Sequence, residues 1–208
     1  VNKKLLKKNS NDGLLIDRIN YCINKTEKLI SSDDEVKELL TIGCSYAYFE
    51  SIIAEKCKNI KVNCFDRSEI TAILNKREFS FANISFHHGD VIDFLIHHKH
   101  KSSIFNHMWT FCYLGKDFIE KIYSNLKNKT KYIILVEPFG ISREKEEFYE
   151  FSFEDIPSVR YYGNIFMHNY PGILKKYNYD IETLQIKEIP NKKYSYLLYI
   201  VAKNNLHN

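Results

Sequence analysis

No stretch of the 208 residues approaches the roughly 18 consecutive apolar residues that a membrane span needs. The five cysteines (Cys22, Cys44, Cys57, Cys64 and Cys112) form no Cys-x-x-Cys pair. An odd number without metal-ligand spacing implies reduced thiols, not a disulfide framework or a zinc site. The histidine pairs His87-His88 and His97-His98 are short polar tracts that a helix end accommodates, and no metal is expected. No block of one charge sign dominates. The formal charge is only +4, with lysines spread along the chain, which by itself gives no argument for a nucleic-acid partner. Lys3, Lys4, Lys7 and Lys8 lead into polar residues 9–12 and not into an apolar run, so a secretory signal is not expected and the reading is cytoplasmic. There is no internal repeat and no long linker. What is there is the balance of a folded domain, 44% hydrophobic and 27% charged, and the expectation is one domain over 1–208.

The chain alternates between two periods. Apolar residues at helical spacing over 13–30 predict an amphipathic helix, part of an N-terminal extension covering 1–35. Short apolar runs at 36–42, 60–65, 84–87, 104–110 and 132–136 read as strands. Helical patterns follow the first four of them, at 48–57, 68–77, 91–98 and 116–126. In the second of these helices Ile70, Ile73 and Leu74 are the apolar positions. The run at 132–136 is continuously apolar, as a central parallel strand should be. After Pro138 the pattern changes to a charged, aromatic-rich insertion over 141–168, then a short helix at 169–177. Two long strands, 180–189 and 194–203, close the chain as a hairpin around the turn-like 190–193. The predicted fold is α/β: a Rossmann-like, mostly parallel seven-stranded sheet with helices on both faces and a C-terminal antiparallel β-hairpin.

In such a sheet ligands bind beyond the carboxyl ends of the strands. The first strand ends in Gly43-Cys44-Ser45-Tyr46-Ala47, small residues that let a ligand approach backbone N–H groups. Asp66 ends the second strand about 20 residues further on, where a carboxylate accepts hydrogen bonds from ribose hydroxyls. Asp90 follows the third strand. Its carboxylate can reach an adenine amine, can cap the helix that begins at Val91, or can do both.

These residues carry a family resemblance. Leu39-Leu40-Thr41-Ile42-Gly43-Cys44-Ser45-Tyr46-Ala47 resembles the first motif of class I S-adenosylmethionine-dependent methyltransferases. Phe65-Asp66-Arg67-Ser68 is similar to their ribose-binding motif, and His88-Gly89-Asp90-Val91 to their adenine-contacting segment. The stretch 104–111 resembles their fourth strand, whose end lines the methionine part of the cofactor, and the closing hairpin resembles their last two strands. The resemblance spans about 36–203 and implies S-adenosylmethionine as cofactor, held by Gly43, Cys44, Ser45, Ala47, Asp66, Arg67, Asp90, Val91, Thr110 and Phe111. Thr41 stands where the family usually has an acid, and Ser45 and Ala47 stand where it has glycines. If the loop needs positive φ, each of those two costs about 1 kcal/mol.

Methyl transfer needs an in-line nucleophile, sometimes a base, and exclusion of water. Candidate catalytic residues are His168 at the entrance to the last helix, Glu137 at the end of the central strand, and Tyr113 after the fourth; His107 reads as a buried mid-strand side chain. The aromatic insertion over 141–168 is placed to form a lid or wall of an acceptor pocket. The expected activity is methyl transfer to O or N of a small molecule by a monomer or homodimer. The alternatives are an RNA methyltransferase and a catalytically inactive module of the same fold.

Overall fold

The computed structural model describes residues 13–97, 102–140, 159–162, 165–189 and 195–207. The chain begins with helix α1 (Gly13–Ser32) and then alternates. The order is β1 (Glu38–Ile42), α2 (Tyr48–Lys56), β2 (Lys61–Asp66), α3 (Glu69–Glu78), β3 (Ile84–His88), α4 (Val91–His97), β4 (Ser102–Met108), a 3-10 turn (Phe111–Tyr113), α5 (Lys116–Leu126) and β5 (Thr130–Gly140). A small antiparallel pair, β6 (Val159–Tyr162) and β7 (Ile165–Met167), precedes α6 (Tyr170–Lys176), β8 (Tyr179–Glu188) and β9 (Ser195–Asn204). No apolar pattern in residues 159–167 announces that pair.

One seven-stranded sheet runs β3-β2-β1-β4-β5-β9-β8. The five strands from β3 to β5 are parallel, and β9 inserts antiparallel between β5 and β8. Order reverses between β1 and β4, so the crevice for a ligand opens there, above the carboxyl ends. Alternate side chains of each strand feed two cores. Leu39, Val62, Ile104 and Ile134 pack with Ile19 and Cys22 of α1 and with Phe49 and Ile53 of α2. Leu40, Phe65, Phe105 and Ile133 pack with Leu95 of α4, Ile119 and Ile122 of α5, and Leu174 of α6. Both faces of the sheet are covered, which is why the strands are continuous apolar runs. Helix α1 is pinned to the hairpin by Asp17, which accepts from Tyr199 Oη at 2.7 Å and from Lys187 Nζ at 2.9 Å.

Three departures from the sequence reading bear on function. The central strand does not stop at Val136. It continues through Glu137 and Pro138 to Gly140, because β9 pairs with it along that whole length. β4 has already ended opposite Val136, so no strand pairs with Pro138 on that side and its missing N–H interrupts no shared ladder. β4 itself ends at Met108, since Trp109 turns to φ +52, with Arg18 of α1 stacked 4.3 Å over its ring. In α3 the apolar residues Ile70, Ile73 and Leu74 are exposed, while Ala72 and Asn75 face the sheet. Of the insertion expected over 141–168, residues 141–158 and 163–164 lie outside the described residues, as do residues 1–12 of the N-terminal extension.

Candidate functional site

A cleft of about 550 Å³ lies at the carboxyl ends of β1 to β4. Gly43, Asp66, Arg67, Asp90, Val91, Thr110 and Tyr113 line it, seven of the residues singled out from sequence. Ile42, Phe65, Gly89, Leu114 and Phe118 complete the wall. Ile42, Phe65 and Gly89 immediately precede named residues, so strand-end position alone could have found them. Leu114 and Phe118 follow a 3-10 turn that no residue pattern announces.

The loop after β1 is built by backbone geometry. Gly43 has φ +75, and a Cβ added there would lie 2.2 Å from Thr110 Oγ1. No side chain fits. Ser45 and Ala47 also adopt positive φ, at 47° and 49°, so the replacement of glycine at both positions does carry backbone strain. The loop is held despite it. Gly43 N donates to Phe65 O at 2.8 Å, Ala47 N to Cys44 O at 2.8 Å, and the Asn75 amide to Ser45 O at 2.6 Å.

Asp66 joins this loop to the start of α3. Its Oδ2 accepts from Ser45 N at 3.0 Å and its Oδ1 from Ser68 N at 2.9 Å. A carboxylate offers about four lone-pair sites. Two are used by backbone, which leaves one on each oxygen for ligand hydroxyls. Asp90 caps α4, with Oδ1 accepting from Ile92 N at 2.8 Å and Asp93 N at 3.0 Å. Both capping bonds fall on one oxygen, so capping leaves Oδ2 for a ligand.

Beyond β4 the backbone is organised from below. Glu137 is fully buried. Its Oε1 accepts from Thr110 N and Phe111 N, each at 3.0 Å, and its Oε2 from Cys112 N at 3.2 Å. His107 Nδ1 lies 2.8 Å from the same Oε1, and its Nε2 lies 2.9 Å from Tyr123 Oη. Burial pushes the Tyr123 phenol well up, so it stays protonated and donates. An Nδ1–H tautomer of His107 then satisfies both neighbours, donating to Glu137 and accepting from Tyr123. The His107 ring stacks on Phe111 at 3.8 Å. One carboxylate thus collects the N–H groups that open the 3-10 turn, where a negative charge is favourable.

The three catalytic candidates are not brought together on the cleft wall. Tyr113 is there, 55% exposed. His168 is buried behind it, its Nε2–H donating to Leu114 O at 2.9 Å. Burial holds the His168 pKa below the ordinary histidine value, so the ring is neutral at pH 7. Glu137 lies under the turn. Of the remaining cofactor candidates, Ser45 is exposed and shapes the loop through its N–H, while Cys44, Ala47 and Phe111 are buried behind the wall.

Thr41, at the position where the family usually has an acid, is buried at 2% exposure. A buried acid does occur nearby: Glu50 in the first turn of α2, which burial pushes up to about 8. Among the described residues no group of three or more His, Cys, Asp or Glu side chains could hold a metal ion, and no helix is long and apolar enough to cross a membrane.

Solved structures share this architecture. Magnesium protoporphyrin IX methyltransferase from Synechocystis PCC 6803, with bound S-adenosylhomocysteine, superposes with a TM-score of 0.59. The identity is 13%, over 88% of this chain and 82% of that one. This is the class I methyltransferase fold. An S-adenosylmethionine-dependent methyltransferase from Listeria monocytogenes, described as putative, matches with a TM-score of 0.58 at 16% identity, over 89% and 99% of the two chains. The O-methyltransferase of a trans-AT polyketide synthase multienzyme of Brevibacillus brevis, in complex with S-adenosyl-L-homocysteine, gives 0.60 at 12%, over 84% and 69%. No protein-family model matches the sequence, and no curated protein matches it. At such identities the methyltransferase fold is what the likeness establishes, seven strands and antiparallel hairpin included.

Proposed function

We propose that the chain is an S-adenosylmethionine-dependent methyltransferase acting on O or N of a small molecule in the cytoplasm. The observation that carries this is the cleft at the β1/β4 switch point, which places two carboxylates with spare acceptor sites over a wall of Phe65, Val91 and Leu114. That set fits the cofactor chemically: Asp66 for the ribose hydroxyls, Asp90 for the adenine amine, and Val91 with Phe65 against a flat ring. Its volume of about 550 Å³ is within the range of pre-formed small-ligand sites. Bound there, S-adenosylmethionine supplies an electrophilic methyl group on sulfur. The chain's own task is placement and exclusion of water. Tyr113, Leu114 and Phe118 give an aromatic and apolar wall suited to a small acceptor, and Tyr113 is the candidate whose side chain meets it. Glu137 and His168 act as positioning residues, one through the N–H groups of residues 110–112 and the other through the Leu114 carbonyl. The described part of the insertion, up to His168, backs the Leu114 side of the cleft. Five thiols without a disulfide accord with a reducing compartment.

The test is calorimetry with S-adenosylhomocysteine. Binding by the parent chain is expected, and Asp66→Ala should weaken it at least about tenfold, the loss of hydrogen bonds to a charged acceptor. Unchanged affinity in that variant removes the ribose assignment. A parent chain that does not bind removes the proposed function.

A further inference from the structure

Helix α3 presents its apolar side to solvent. Ile70 is 71% exposed, Leu74 51% and Ile73 42%, while the sheet receives only Ala72 and Asn75. At 100° per residue, Ile70, Ile73, Leu74 and Arg77 form one outward stripe at i, i+3, i+4 and i+7. This spacing normally faces a core. The stripe also continues beyond the helix. The Asn75 amide bond to Ser45 O seats the loop after β1 beside α3, and that loop carries Tyr46, itself 60% exposed. On the sheet α3 packs at the β3 margin, and β3 is the edge strand. Scattered exposed apolar residues are ordinary, but three large ones on one helix face beside an exposed tyrosine make a patch of the kind that marks an interface.

The charges on the helix select the occupant. Glu69 and Glu78 oppose Lys76 and Arg77, so the face is neutral overall and offers no basic surface to an anionic membrane or nucleic acid. Their order is self-complementary. Glu69 in the first turn and Lys76 in the last lie on the same flank of the stripe, seven residues apart. In an antiparallel helix pair related by a two-fold axis, like flanks face each other and the first turn of one helix meets the last turn of the other. Ile73 and Leu74 then meet their own copies at the centre. Arg77 lays its stem on Ile70, and Glu69 meets Lys76 of the second copy twice over. We propose that α3 is the dimer interface of this protein, its Ile70/Ile73/Leu74 stripe packing antiparallel on the same stripe of a second copy. The contact leaves the cleft open but joins α3 to the cofactor loop through Asn75.

Sedimentation velocity on the full chain, from low micromolar to several hundred micromolar, tests this. A concentration-dependent dimer is expected, and Ile73→Glu should weaken it at least about tenfold, since it places like charges at the centre of the contact. Glu69→Lys and Lys76→Glu each create two like-charge pairs and should weaken the dimer, whereas the double reversal restores both pairs and should return it to near the parent value. All these residues are exposed, so circular dichroism should show unchanged folding. A chain that stays monomeric throughout overturns the proposal. A dimer that Ile73→Glu does not weaken, or that the double reversal does not restore, places the contact elsewhere and overturns it equally.

Discussion

Glu50 is a carboxyl group in a place hostile to charge. It is 3% exposed, and its pKa is raised to about 8 from the usual 4.5, burial being the main cause. The folded chain therefore holds a proton there that the unfolded chain has released across most of that interval. By linkage, stability falls as pH rises from about 4.5 through 8, by an amount on the order of 5 kcal/mol once both states are ionised. Glu50→Gln keeps the shape and cannot ionise. Denaturant melts should find the variant and parent similar near pH 4, with the variant already about 2 kcal/mol more stable near pH 6 and several kcal/mol more stable near pH 9. Equal pH slopes in the two proteins would show that Glu50 is not the group titrating. Other single residues were legible from sequence because backbone position dictates them. Asp66 ends a strand and Gly43 and Asp90 follow one within two residues, and a strand end in a parallel sheet is a ligand position whatever the fold's details. Glu50 was not legible, because its burial depends on how α2 rolls onto Thr41 and Cys64, which spacing does not express.

At the level of elements, the five parallel strands, the four helices that follow the first four of them and the hairpin could be read because their apolar runs are long and differ in period. Two readings went astray for opposite reasons. In α3 the apolar period was real but pointed away from the sheet, since Asn75 is held inward by its bond to Ser45 O and Ala72 by close packing. A period gives a stripe and not a direction. In β5 the expected stop at Val136 failed because a proline ends a strand only where its N–H is needed, and β4 had already left. That extension buries Glu137 under the 3-10 turn, away from the place a base would occupy. Its carboxylate accepts three backbone N–H groups, and Glu137→Gln replaces one accepting oxygen by an amide that donates. At least one of the Thr110, Phe111 and Cys112 N–H groups is then left unpaired in a buried setting, at about 1–3 kcal/mol. The expected result is a lower melting temperature together with faster amide exchange at residues 110–114, and unaltered exchange in α3. Unchanged protection of the turn would separate Glu137 from it.

For the whole molecule, topology and cleft converge on one energetic consequence. The wall of the cleft is drawn from β1, β2, the helix start after β3, the turn after β4, and α5, so a ligand there bridges elements that meet only in the folded chain. Such a ligand binds the native state alone, and its binding energy adds to folding stability as RT ln(1 + [L]/Kd), about 2.7 kcal/mol at a hundredfold excess over Kd. For a domain of this length each kcal/mol moves the melting temperature by about 2–4 °C, so S-adenosylhomocysteine should raise it by roughly 5–10 °C. Asp66→Ala, measured at the same ligand concentration, should lose about half of that rise if affinity drops tenfold. The measurement also separates the rival readings of this fold. The positive φ at Ser45 and Ala47 is strain that glycine would not carry, and a module that no longer bound cofactor would have no reason to keep Asp66 pinned between Ser45 N and Ser68 N with acceptor sites to spare. A shift that saturates with ligand and shrinks in Asp66→Ala means the strained loop is still a working cradle. No shift at saturating ligand means that the glycine losses have closed it, and the catalytically inactive reading stands.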